Sequence, residues 1–158
     1  MEDTTPPTLR HLLTLEASLA PSLDAGDGPL GRRTLNAVAE GRFHGARLNG
    51  RIHPGTGDWM LTRQKIRVVD ARIVLMTDDG ALVHMMYGGR IWFDDAVVPA
   101  LADLRTRHLI DRSRYYFRTA PMFETGHADY LWLNGVVSVG VGRLREGGGV
   151  AYDVYEVT

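Results

Sequence analysis

Apolar residues along this chain come in short alternating runs, each broken by glycine, proline or aspartate. That is the signature of strands and tight turns. Leu9–Leu19 alternates imperfectly and reads as a strand in preference to a short helix. Asp24–Gly31 reads as a loop, Thr34–Ala39 as a strand, Gly41–Gly45 as a turn or bulge and Leu48–His53 as a further strand ended by Pro54-Gly55-Thr56-Gly57. The plainest unit is a hairpin, Val68–Met76 and Ala81–Tyr87, joined by Thr77-Asp-Asp-Gly80; both arms are rich in β-formers and Asp-Gly favours a tight turn. Tyr115–Thr119, His127–Asn134 and Val136–Arg143 read as strands, Gly147-Gly-Gly149 as a turn and Val150–Val157 as a closing strand. One helix is expected over Ala96–Arg107, with Asp94 or Asp95 as N-cap and Pro99 in its first turn. The pattern predicts an all-β fold: a single antiparallel β-barrel with one short helix, spanning 9–158 after a flexible N-terminus at 1–8.

Composition narrows the partners more than it names the chemistry. The 158 residues suit one domain, and 44% apolar with 23% charged residues is ordinary for a globular chain. With 18 basic and 19 acidic residues, the net charge of -1 gives no electrostatic ground for nucleic acid or an anionic membrane as partner. Without cysteine there is no disulfide framework, thiolate metal site or thiol nucleophile. The polar start Met1–Pro7 lacks the features of a signal peptide, and no apolar run reaches membrane-helix length, so a cytoplasmic protein is expected.

Side chains alternate faces along a strand, so Asp70 and Arg72 share one face and Ala71, Ile73 and Leu75 the other. Read as strands, the later segments likewise put Tyr116 with Arg118, and Tyr130 with Trp132 and Asn134. Such polar-aromatic faces suit a ligand-holding lumen, or else a rim of ion pairs and a barrel end plugged by tryptophan. Glu124, after the apolar Pro121-Met-Phe123, and Asp58, before Trp59 in a glycine-rich stretch, are the candidate proton-transfer groups. Their bland readings are a strand-edge glutamate and a turn-stabilising aspartate. The catalytic candidates are therefore Glu124, Asp58 and Arg118; the ligand-binding candidates are Trp59, Arg72, Tyr116, Tyr130, Trp132 and Asn134. The six histidines show no metal-ligand spacing, Ser113 and Ser138 lack a nucleophile-elbow context, and no GxGxxG or P-loop occurs, so no metal or cofactor is expected.

Several of these residues fall in a fixed order: Gly41…Phe43-x-Gly45…Leu48-x-Gly50…Pro54-Gly55-x-x-Asp58-Trp59, then Asp70-Ala-Arg72…Thr77-Asp-Asp-Gly-Ala-Leu82, Tyr116-Phe-Arg118-Thr…Pro121-x-Phe123-Glu-Thr125 and Trp132-Leu-Asn134. From about Gly31 to Val157 the order resembles uncharacterised protein family 0311, also called domain of unknown function 3237. The resemblance implies a small barrel of the lipocalin or allene-oxide-cyclase type with a shared pocket, rather than a particular reaction. Two departures stand out. Arg63-Gln-Lys-Ile66 replaces the family's Arg-x-Asp-Gly turn, and Ile73 stands where a tyrosine is common, which implies a more apolar pocket.

Two functions compete. One is a cofactor-independent isomerase, cyclase or lyase acting on a small apolar organic molecule, with Glu124 or Asp58 moving a proton and Arg72 or Arg118, with Tyr130 or Asn134, steadying an oxyanion. The other is a non-catalytic binding protein for a small hydrophobic ligand. A structural module, its lumen filled by Trp59, Trp132 and Met85, is a third reading. Outward apolar strand faces, with Val136, Val139 and Val141 among the candidates, would suit a homodimer.

Overall fold

The computed structural model describes residues 4–158; positions 1–3, part of the stretch expected to be flexible, lie outside the described residues. Ten strands are present: β1 Leu9–Leu19, β2 Leu23–Gly28, β3 Gly31–His44, β4 Asn49–Ile52, β5 Gly57–Arg63, β6 Ile66–Thr77, β7 Leu82–Phe93, β8 Tyr115–Glu124, β9 Ser138–Leu144 and β10 Val150–Val157. All neighbours are antiparallel, in the order β1-β10-β9-β8-β7-β6-β4-β3-β2, and pairing of β1 with β3 closes the sheet on itself. The break at Ala20–Ser22 makes β1 and β2 one stave against β3, and Pro54-Gly55 likewise splits β4 from β5 between β3 and β6. Eight staves result, a closed barrel without a free edge of its own.

Alternation decides what fills the barrel. On β6 the odd residues Val69, Ala71, Ile73 and Leu75 point inward and are buried. Phe43, Leu48, Leu75, Val83, Met85, Phe123 and Leu133 belong to one buried core, where Thr77-Asp-Asp-Gly80 turns β6 into β7. That turn forms as the sequence predicts: Thr77 N–H donates to the Ala81 carbonyl at 2.9 Å, and Gly80 takes a φ of 93°, which a side chain would disfavour.

Four local expectations are corrected. Within the segment expected to be a loop, β2 forms a hairpin with the start of β3. Gly41 is not in a turn but inside β3, opposite Ala17. The helix expected over 96–107 is a 3-10 segment, Asp95–Ala102, followed by a short turn at Arg107–Leu109. Pro99 lies inside it and has no N–H for an α-helical bond. Finally, His127–Asn134 is not a strand, since Ala128–Gly135 winds as 3-10 turns. Asn134 side-chain bonds to both the N–H (2.8 Å) and the carbonyl (2.9 Å) of Thr125 hold that winding in place. Among the described residues no helix is long and apolar enough to cross a membrane.

Buried Glu156 ties the ends of the barrel wall together, accepting from Arg10 on β1 and from Arg47 in the β3–β4 turn. Burial pushes its carboxyl up, but the bonds from Arg10 and Arg47 outweigh this and hold it below the usual range. A lowered folded value means the stabilisation is present above the ordinary 4.5 and is lost as pH falls through the folded value. Glu156→Gln is expected to lower the melting temperature at pH 7, with the deficit shrinking below pH 4.5 when thermal unfolding is followed by circular dichroism.

Candidate functional site

The half of the barrel away from the β6–β7 turn is not filled. A cavity of about 700 Å³ remains, with Leu15, Val38, Ile52, Ile73, Ile91 and Phe117 forming much of its apolar wall. Small residues keep it open: Ala17 and Gly57 line it, and Gly142 packs flat under Phe117, where a Cβ would lie 2.5–2.6 Å from the ring. A lumen of this size and lining fits a small organic molecule.

Asp58 is the one carboxylate among the described residues that lines this cavity. Its place follows from register. On β5, Asp58 lies between Asn36 of β3 and Ala71 of β6. The fully buried Ala71 leaves space beside it, and the Asp70 N–H donates to Asp58 Oδ1 at 2.8 Å. Asp70 and Arg72 meanwhile point outward and pair with each other. The Asp-Ala-Arg stretch thus serves as the mount for Asp58. Burial pushes the Asp58 carboxyl up to about 6, against the pull of the Asp70 N–H bond; the Asp70 charge adds to the rise and Arg33 opposes it. A carboxyl poised near neutrality can give or take a proton.

Two tyrosines and an asparagine are among the polar groups that line the same cavity. Tyr87 and Tyr152 meet edge to face with ring centroids 5.5 Å apart. Burial pushes both phenols up, and the Asp58 charge adds to the rise, so they stay protonated as donors. Asn36 accepts from Ser22 Oγ at 2.6 Å through Oδ1, while its buried Nδ2 has no partner among the described residues. An acid, two phenols and an unpaired amide donor therefore share one cavity.

Of the nine residues singled out from the sequence, Asp58 alone lines the lumen. The other eight lie outside it, on the outer faces of strands or in the 3-10 segment Ala128–Gly135. Trp59 follows Asp58 and so points out, 51% exposed. Arg72 faces out with Asp70. On β8 it is Phe117 and Phe123 that point in, which leaves Tyr116, Arg118 and Glu124 outside. There Tyr116 stacks on Trp92 at 5.8 Å, and Arg118 lies over Tyr116 at 5.0 Å. In the 3-10 segment, Tyr130 donates to Asp79 at 2.9 Å, Trp132 stacks under Arg47 at 3.8 Å and Asn134 bonds Thr125. These three brace the closed end.

Tyr87, Tyr152 and Asn36 were not among the candidates. Tyr87 follows Met85-Met86 in what reads as core filling, and Tyr152 sits in an ordinary alternating strand. Asn36 carried the one usable signal: Thr34, Asn36 and Val38 share a face and leave Leu35 and Ala37 on the other, a reversal of polarity that marks a polar stretch of interior.

Comparison with known proteins places this geometry among relatives. A family described as a protein of unknown function (DUF3237) matches residues 7–157. A UPF0311 protein from Rhodopseudomonas palustris is 32% identical over 154 residues, covering 96% of this chain and 98% of its own. A crystal structure described as a beta-barrel like protein, from Acinetobacter baumannii, superposes with a TM-score of 0.82 at 31% identity, each chain covered in full. The crystal structure of a protein described as an enzyme, from Penicillium herquei, shares the fold with a TM-score of 0.72 at 19% identity, covering 100% of this chain and 99% of its own.

Proposed function

The chain belongs to the DUF3237 family, and on the strength of the acid that its barrel holds inside a 700 Å³ lumen we propose that it binds a small organic molecule there and moves a proton on it. The reaction class is isomerisation, cyclisation or elimination without a redox cofactor. Asp58 is the proton-transfer group: its place as the one carboxylate among the described residues that lines the lumen carries the reading, and burial pushes its carboxyl up to about 6. Asn36 Nδ2 and the protonated phenols of Tyr87 and Tyr152 supply donors for an oxygen that gains charge in the same step. The apolar wall fixes the substrate's conformation and excludes water, which strengthens each of these interactions. A protein of the same fold is described as an enzyme, in keeping with a catalytic role.

A thermal-shift screen of aromatic and medium-chain unsaturated oxygenated compounds, followed by mass spectrometry and chromatography of the binders, tests this. At least one binder is expected to be converted by the protein and left unchanged by Asp58→Asn. Binders that stay unconverted would make the protein a carrier instead.

A further inference from the structure

The lumen carries charge at its mouth that the proton-transfer reading leaves unused. Arg67 on β6 and Arg107 in the β7–β8 connection both line the cavity. Arg67 pairs across to Thr62 on β5, four residues along that strand from Asp58, about 13 Å away at 3.3 Å per residue. Arg107 is brought over the opening by the segment between β7 and β8. The Gly147 N–H donates to the Leu104 carbonyl at 3.0 Å, and Arg107 donates to the Gly148 carbonyl at 2.5 Å.

Among the described residues neither guanidinium has an anionic partner. The ion pairs of the described residues engage Arg10, Arg32, Arg42, Arg47, Arg72, Arg105, Arg114, Arg143 and Arg145, but not these two. Arg67 is left over the Phe93 ring at 5.0 Å, and Arg107 keeps a buried Nε with no hydrogen-bond partner among the described residues. Burial makes the charged form of each costlier, and the charge of Arg107 adds to the cost at Arg67. Two desolvated like charges without a counterion are an expensive arrangement unless something fills the gap between them.

We infer that the gap is an anion site: Arg67 and Arg107 hold the carboxylate, or an equivalent oxyanion, of an amphiphilic ligand whose apolar body runs down the lumen toward Asp58. Guanidinium groups suit this task because their forked donors match a carboxylate's two oxygens. Phe93 and Leu104 line the same cavity and would cover the ligand's first carbons. The inference rests on the lumen being the binding site, and it changes the expected ligand from a wholly apolar molecule to an organic acid with an aromatic or medium-chain body.

Calorimetric titration with naphthalene-2-carboxylate and its neutral isostere naphthalene-2-carboxamide separates the two ideas. A charge-assisted pair of bonds predicts that the carboxylate binds about tenfold tighter or better. Arg67→Met and, separately, Arg107→Met are expected to reduce that ratio toward one while amide binding persists. Retained amide binding also shows that each variant is folded. Asp58→Asn is expected to keep the preference. Equal binding of both compounds, or a preference that both arginine variants preserve, overturns the anion site and leaves the lumen reading standing. If neither compound binds at millimolar concentration, the lumen reading and the anion site fail together.

Discussion

Asp58→Asn is expected to abolish conversion of any substrate the protein turns over, by a factor of about 100 or more, the usual scale for loss of a positioned acid or base. It is expected at the same time to make the protein more stable above pH 6. The two effects share one cause. Burial raises the carboxyl from 3.8 to about 6, so the fold favours the protonated form. A raised folded value means this contribution is present below pH 3.8 and is lost as pH rises through 6. At neutral pH the wild-type protein therefore carries a destabilising buried charge. The gap between the two values, at about 1.4 kcal/mol per pH unit, sets its upper limit near about 3 kcal/mol. Asparagine keeps an oxygen for the Asp70 N–H and carries no charge at any pH. Thermal unfolding of both proteins across pH 4 to 8 is expected to show curves that converge at the acid end, draw apart between about 4 and 6 and stay apart above it, with the variant melting several degrees higher. The groups facing this carboxyl that shape its titration are Asp70, Arg33, Tyr87 and Tyr152. Variant curves that run parallel to wild type at every pH would mean Asp58 is an ordinary surface carboxylate.

Gly50→Ala is expected to have the largest effect on stability. The short strand β4 is wedged between β3 and β6, with Gly50 opposite both Phe43 and Thr77. A Cβ there would fall on the Met76 carbonyl oxygen and lie 2.8 Å from Phe43 Cζ and from the Thr77 Cα. Two of those atoms are backbone in a central strand, and Phe43 is fully buried, so nothing nearby yields cheaply. We expect a loss of about 3 kcal/mol or more, read from urea unfolding, or an insoluble protein. Gly55→Ala is the control for backbone conformation alone. Its φ of 82° disfavours a side chain, yet no atom lies within 4 Å of its Cβ position, so its expected cost is nearer 1 kcal/mol.

Much of the barrel was legible because its strands obey a period of two. The β6–β7 hairpin stands almost where alternation and Asp-Asp-Gly80 put it. The misread segments are those in which side-chain bonds override pattern. Asn134 and His127 cap their own backbone and wind 128–135 into turns that no periodicity announces. The site was legible in one residue, Asp58, and for a reason alternation cannot supply. Period two says which residues share a face but not which face is inside. In most strands apolar residues mark the interior, yet around this lumen the inward faces carry Asn36, Asp58, Thr62 and Arg67. Glu124 was attractive because it follows the apolar Pro121-Met-Phe123, but Pro121 and Phe123 point in and leave Glu124, like Arg118 and Tyr116, on the barrel's outer surface. Arg107 was hidden for another reason: only the path of the β7–β8 connection brings it to the mouth.

The account stands on the lumen, rather than the outer face of β8, being where ligands bind. The most direct test is a titration of uniformly 15N-labelled protein with naphthalene-2-carboxylate, followed by amide chemical shifts. The account predicts that the largest changes fall on Asp58, Arg67, Ile91, Arg107 and Gly148, residues distant in sequence that meet only around the cavity. Changes concentrated on Tyr116, Arg118, Met122 and Glu124, with the lumen amides unmoved, would contradict it.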